Sequence, residues 1–354
     1  MKATGHGAKR KELRVVDAPE PIAVLVDREG LGDVMLKAPF LRALRRAFPE
    51  NAIWWIATHQ TAMARELRHL FDPDIAQVIA HSGLEGRIGP PPHRLRDLPP
   101  FERVFDMRTR IATVAATRLG LAHHGFYCCL PGYVLCDGEP PEGRRRPRHI
   151  AERALSLVRC ATGRPPDGSG RLQASAEAEA FAKKLLPDGP TYVGLAPGSR
   201  QARKNWPVER YWDVARALTA RGATPVFLLG PKERIASTAI IEAAPGSIVI
   251  RADAHGNRRA NGVDRLIAQG QRLSLLLAND SGVGHIVGAA GTPVLSLFGP
   301  TDPQRWRPVA PSGRVLSARQ FGGRRDIRAI PGAAVTEAAL AMLASGAPQP
   351  PPAI

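Results

Sequence analysis

The sequence predicts an α/β protein of two Rossmann-like halves facing a central cleft. Three observations carry this. IAVLVD (Ile22–Asp27) is a short, almost continuous apolar run, as expected of a buried parallel strand. A strand, a helix and a second strand follow one another from Ile22 to Thr58, the span of a βαβ unit. A second series of apolar strands then begins near Thr191.

The elements read in order as follows. After the first strand comes the turn REGLG, then a helical pattern from Asp33 through Phe48 that stops at Pro49. The strand AIWWIAT starts at Ala52. From Gly83 to Pro147 the chain is rich in proline and glycine, with ERVFDMR reading as a further strand. A composition break, TGRPPDGSGR (Thr162–Arg171), precedes a helix rich in alanine and glutamate. The second series comprises TYVGLAP, TPVFLLG, LSLLLAND and, as its last member, TPVLSLFGP. ERYWDVARALTARG and HIVGAAG are helices between them. The expected division is a flexible extension (1–20), a first domain (21–165), a linker or hinge (166–190), a second domain (191–345) and a disordered tail (346–354).

At 354 residues, 44% hydrophobic and 23% charged, the chain is long enough for two packed cores and does not have the composition of a disordered protein. No apolar run reaches the roughly 18–20 residues that span a bilayer, and the basic N-terminus has no apolar segment of the secretory kind. Cys128, Cys129, Cys136 and Cys160 lack CxxC spacing, so neither a zinc site nor a disulfide framework is expected, and the thiols fit a reducing cytoplasm. The net charge of +17 favours polyanions: nucleic acid, anionic membrane or phosphorylated substrates. Aromatics are only 5%, and no basic run is interleaved with them, so a stacking platform for nucleic acid is not indicated.

Three segments carry candidate chemistry. In GLGDV, Gly30 and Gly32 allow a tight turn and a close ligand approach. Met35 stands where a dinucleotide fingerprint has its third glycine. The second strand ends in Ala57, Thr58 and His59 without a ribose-gripping acid, so NAD binding is disfavoured. Asp33 reads either as a helix cap or as a carboxylate at the cleft mouth able to accept a proton. In APGSRQARKNWP (Ala196–Pro207), Ser199 and the loop amides suit phosphate oxygens, and Lys204 supplies a point charge against a departing diphosphate. In NDSGVGH (Asn279–His285), Ser281 and His285 are four apart, and Gly282, Gly284 and Gly288 keep the helix face low near an anion-binding N-terminus. FDPD (Phe71–Asp74) has the Asp-x-Asp pattern of metal-holding sugar transferases, but a proline turn explains it and no metal is expected.

Together these segments resemble glycosyltransferase family 9, the lipopolysaccharide heptosyltransferases. The likeness runs through LGDVMLKAPFLRALRRAFP, LAPGSRQARKNWPVERYWDVARALTARG, VFLLGPKER and NDSGVGHIVGAAGTPVLSLFGPTDPQRWRP, in that order. It implies a GT-B fold with acceptor bound in the first domain and nucleotide sugar in the second. It implies inverting, metal-independent transfer of heptose from ADP-heptose to an inner-core acceptor, with no cofactor. By position, Asp33 matches the general base and Lys204 the lysine near the donor phosphates. Ser199 and Arg200 fall on phosphate-contacting positions, Glu233 on an acid that holds the ribose, and Asp280, Ser281, Gly282 and His285 on the donor-site motif. Gly30 and Gly32 form the acceptor-side loop. The implied partners are a nucleotide sugar and a lipid-linked anionic glycan at the inner face of the cytoplasmic membrane, with no specific nucleic acid. The alternatives are a related transferase using another nucleotide sugar for a different envelope glycan, and a catalytically silent homologue. Val283 and Gly284 depart from the proline and methionine common after DSG in this family.

Overall fold

The structure, a computed structural model, describes residues 19–84, 98–231, 233, 235–252 and 259–345. The expected N-terminal extension up to residue 18 and the tail 346–354 lie outside the described residues.

Two parallel sheets form the frame. The first contains β1 (Ile22–Val26), β2 (Ile53–Ala57), β3 (Gln77–Ile79), β4 (Phe101–Asp106) and β5 (His123–Cys128), in the spatial order β3-β2-β1-β4-β5. The second contains β6 (Thr191–Ala196), β7 (Ala223–Leu229), β8 (Ile248–Arg251), β9 (Leu275–Asn279), β10 (Val294–Phe298) and β11 (Gly313–Ser317), in the order β11-β10-β9-β6-β7-β8. Both start from a central strand and reverse direction beside it. This is the doubly wound arrangement, whose ligands bind beyond the carboxyl ends of the strands at the reversal point. Those points lie between β1 and β4 and between β6 and β9.

Two expectations need correction. TPVLSLFGP forms β10 but is not the last strand, because β11 pairs with it in parallel. The helical pattern from Asp33 to Phe48 is two helices, α1 (Leu31–Met35) and α2 (Ala38–Ala47). Pro39 sits in the first turn of α2 and lacks the N–H that a continuous helix would need there, so the chain turns at Leu36 and Lys37.

The first half is completed by α3 (Arg68–Phe71), α4 (Ile111–Gly120) and α5 (Ile150–Thr162), which packs on α2. The stretch 166–190, expected as a linker or hinge, carries the helix rich in alanine and glutamate that the sequence predicts. This is α6 (Ala176–Leu185), whose Ala178 and Ala182 are buried against Ala268 of the second half. That half also carries α7 (Val208–Thr219), α8 (Ser237–Ala243), α9 (Arg259–Gln271), α10 (Gly282–Ala289), α11 (Pro303–Trp306) and α12 (Gly332–Ala344). Among the described residues no helix is long and apolar enough to cross a membrane.

The halves are joined by apolar contact as well as by chain. One buried cluster runs from Val34, Met35 and Trp55 to Ile286 and Ala289 of α10 and Ala290 just after it. The basic knot at Arg42, Arg45 and Arg46 has a structural role. Arg42 and Arg46 donate to the carbonyls of Gly168 and Asp167 in the connecting segment, and Arg45 donates to the carbonyls of Pro49, Asn51 and Asp74 after α2. A second tie joins His149 Nε2 to the Arg307 carbonyl at 2.9 Å, with Arg307 3.3 Å from Glu152. Burial drives His149 down to about 4.

Candidate active site

The three candidate segments leave the carboxyl ends of β1, β6 and β9, the strands at the two reversal points. They converge on a cleft cavity of about 490 Å³. Gly30, Gly32 and Asp33 line it from the first half. Arg200, Lys204, Asp280, Ser281, Gly282 and His285 line it from the second.

Asp33 is not the cap residue of α1 but lies three positions inside it, and its Oδ2 accepts the Gly30 N–H at 2.8 Å. That bond ties the carboxylate to the turn, while the cleft remains open to it. Beneath it lies an arrangement that the motifs do not announce. Glu29 is buried, and its Oε2 accepts from Trp55 Nε1 and Thr61 Oγ1, each at 3.0 Å. Its Oε1 is 2.5 Å from Lys37 Nζ, which also donates to the Asp33 carbonyl at 3.2 Å. Burial is the largest influence on the Lys37 ammonium and pushes it down. Glu29 and Asp33 outweigh it, leaving Lys37 above the ordinary lysine value. The available sequence signal was spacing: Lys37 lies one helical turn after Asp33.

Asn279 aligns the second half. Its side-chain oxygen accepts from the Trp206 N–H at 3.2 Å and from the Tyr211 hydroxyl at 3.1 Å, and its amide donates to the Pro197 carbonyl at 2.6 Å. These bonds fix the loop after β6 against the end of β9. Lys204 Nζ consequently meets Asp280 Oδ2 at 2.6 Å, where the Thr301 hydroxyl also donates at 2.6 Å. His285 Nε2 lies 3.8 Å from Asp280 Oδ1. Burial pushes Asp280 up and is the strongest single effect, but His285, Lys204 and Thr301 together bring it down to about 2.

This has a measurable consequence. A carboxylate depressed in the folded state stabilises the fold above its unfolded value and loses that contribution as pH falls through the folded one. Asp280 is therefore expected to contribute about 2 kcal/mol above pH ~4, lost between pH ~4 and ~2. Chemical denaturation across that window, compared with Asp280→Asn, reads it directly. An unchanged pH slope in the variant would contradict the assignment.

Two residues expected at the donor site do not line this cavity. The Ser199 hydroxyl faces the Gln201 carbonyl at 2.8 Å and Asn205 Oδ1 at 2.6 Å, so it shapes the loop and does not line the cavity. Glu233 sits over Gly198 and Gly230 at the exits of β6 and β7, also outside this cavity: a Cβ on Gly198 would meet Glu233 Oε1 at 1.9 Å. Of the three glycines expected to keep α10 low for a ligand, only Gly282 lines the cleft. Gly284 packs near Ala278 and Pro308, and Gly288 near Val309 and Pro308. Gly32 has a packing role that the sequence did not suggest, since a Cβ there would lie 2.8 Å from His285 Cδ2. In FDPD, Asp72 pairs with Arg68 and Asp74 lies 4.0 Å from Arg45.

Solved structures share this architecture. The glycosyl transferase family 9 structure from Veillonella parvula DSM 2008 superposes with a TM-score of 0.65 at 21% identity, covering 93% of this chain and 98% of the other. The E. coli ADP-heptose lps heptosyltransferase II gives 0.62 at 19%, covering 92% and 99%. An E. coli heptosyltransferase with ADP gives 0.61 at 18%, covering 91% and 99%. At these identities the likeness shows the fold. Two Rossmann-like domains facing a cleft, with this site between them, define the class as a GT-B fold.

Sequence comparison narrows the class. The family model for Glycosyltransferase family 9 (heptosyltransferase) matches residues 141–328, just over half the chain, and the chain belongs to that family. Lipopolysaccharide heptosyltransferase 3 of Escherichia coli is 36% identical over 121 residues, 34% of each protein. Lipooligosaccharide heptosyltransferase 2 of Haemophilus influenzae is 27% identical over 126 residues, 35% of this chain and 36% of the relative. The match thus spans about a third of the length of these curated relatives.

Proposed function

We propose that this glycosyltransferase moves heptose from ADP-heptose to a hydroxyl of a lipopolysaccharide inner-core acceptor, inverting the anomeric centre without a metal ion. The observation that carries this reading is the meeting, in one cleft, of the Asp33 carboxylate from one half with Lys204, Arg200 and the N-terminus of α10 from the other. Asp33 takes the acceptor proton as the oxygen attacks opposite the nucleotide. Negative charge then grows on the leaving diphosphate, where preorganised cations and helix amides lower the barrier most. Lys204 spends one N–H on Asp280, and an ammonium has three. Ser281, the N-cap of α10, makes no side-chain cap bond. Its Oγ and His285 Nδ1 are buried with no hydrogen-bond partner among the described residues, and buried polar atoms are ordinarily paired. A nucleotide diphosphate held at that terminus would satisfy them.

Two comparisons support the donor and acceptor. A similar E. coli heptosyltransferase was solved with ADP, and curated relatives are named lipopolysaccharide heptosyltransferases. An acceptor of that kind is lipid-linked and anionic, which suits the +17 charge and a peripheral position at the inner face of the cytoplasmic membrane. No specific nucleic acid and no cofactor belong to this reading.

Calorimetric titration with ADP, UDP, GDP, NAD and a short DNA duplex tests it. Selective ADP binding is the expected result, followed by ADP release from ADP-heptose in the presence of a truncated inner-core lipid. Preference for UDP or GDP would replace the donor, and binding only to DNA would overturn the proposal.

A further inference from the structure

A second chemical site lies at the outer edge of the first sheet. Cys128 ends β5, and the chain then turns back on itself through Gly132, Tyr133 and Leu135, at φ of 66°, 54° and 72°. This left-handed path is uncommon for the two side-chain-bearing residues. It returns Cys136 to the side of β5, where the Asp137 N–H donates to the Phe126 carbonyl at 2.8 Å. The two sulfurs come within 3.6 Å. The Cys128 N–H donates to Cys136 Sγ at 3.1 Å, and Cys128 Sγ donates to the Val134 carbonyl at 3.1 Å.

We propose that Cys128 and Cys136 are a hydroperoxide-sensitive pair that closes to a disulfide, with Cys136 as the attacking sulfur and Cys128 as the resolving one. Several observations separate this pair from the other two thiols. Cys136 is the more accessible partner, whereas Cys128 is fully buried. The Cys128 sulfur 3.6 Å away, together with the Cys128 N–H, draws the Cys136 thiol below its ordinary value, against burial, while the same sulfur contact and burial push Cys128 up. The thiolate is the reactive form, so attack begins at Cys136. Burial pushes Cys129 and Cys160 up to about 12 each, leaving them as inert thiols.

The chemistry closes without a further reagent. The Cys136 thiolate attacks one oxygen of the peroxide, breaking the O–O bond and giving a sulfenic acid and hydroxide. Cys128 then displaces the sulfenic oxygen, which leaves with the Cys128 proton as water while the S–S bond forms, and the proton released when Cys136 ionised neutralises the hydroxide. Two thiols lose two electrons, and one hydroperoxide is reduced.

The test uses the full chain, reduced, freed of reductant and treated with hydrogen peroxide. The oxidised protein is expected to be about 2 Da lighter, the mass of the two hydrogens lost. Alkylation with iodoacetamide in denaturant should then label Cys129 and Cys160 only, and prior treatment with dithiothreitol should restore labelling of all four cysteines. Peptide fragmentation maps the bond in the wild-type chain, so the outcome does not depend on a variant folding. Cys160→Ser should leave the bond intact and Cys136→Ser should abolish it. Unchanged labelling of all four thiols, a bond to Cys129 or Cys160, or oxidation of Cys136 that stops at the sulfinic acid would each overturn the proposal.

Discussion

Asp33→Asn is expected to slow sugar transfer by about a hundred- to ten-thousandfold, the usual contribution of a positioned general base, while ADP affinity stays close to wild type. Asparagine is the informative replacement. The Asp33 carboxylate also accepts the Gly30 N–H, and an amide oxygen can keep that bond while losing the ability to take a proton. Alanine would remove both roles and confuse a disordered turn with a lost base. ADP release measured in a single turnover, beside calorimetric titration of ADP, separates the two steps. Near-normal turnover in Asp33→Asn would remove Asp33 from the reaction. Parallel losses of turnover and ADP affinity would move it from proton transfer to donor binding.

Lys204→Ala is expected to lower transfer by about a hundredfold or more and, unlike Asp33→Asn, to weaken ADP binding as well. It also strands Asp280. That carboxylate is 8% exposed and would keep Thr301 and His285 but lose its ammonium partner. Leaving a charged buried group short of a partner costs about 1–3 kcal/mol. Adding Asp280→Asn should recover the stability without recovering ADP affinity. A double-mutant cycle with both readouts distinguishes a lysine that serves the phosphates from one that serves only its neighbour. Recovery of ADP affinity in the double variant would assign Lys204 the structural role alone.

What the sequence revealed follows a physical rule. β1, β2, β4, β6, β7, β9 and β10 were legible, and each of them has a neighbour on both sides. The strands it did not show, β3, β5, β8 and β11, are the four sheet edges. Edge strands have one solvent-facing side and need no continuous apolar run, as the patterns QVI, HHGFYC, IVIR and GRVLS illustrate. The site was legible to the extent that it follows buried strands: Asp33, Lys204, Asp280 and His285 all sit just beyond one. Ser199 and Glu233 do not line this cavity: the loop hydroxyl turns inward to its own backbone, and nothing in one dimension shows which side of a strand exit a carboxylate occupies. Glu29 and Lys37 went unnoticed because charged residues flanking a glycine turn look like solvent-exposed groups until Trp55 and Thr61 are seen to cover them.

The contact between Gly32 and the His285 ring bears on how accurately the cleft can be assembled. Most spacings in a two-domain enzyme depend on a hinge and inherit its slack. Here the helix carrying Asp33 and the helix beside Asp280 meet at a position where one partner has no side chain to adjust. Backbone against ring acts as a hard stop. The spacing between Asp33 and the start of α10 is therefore gauged at the cleft itself, and tolerance in the connecting segment need not reach it.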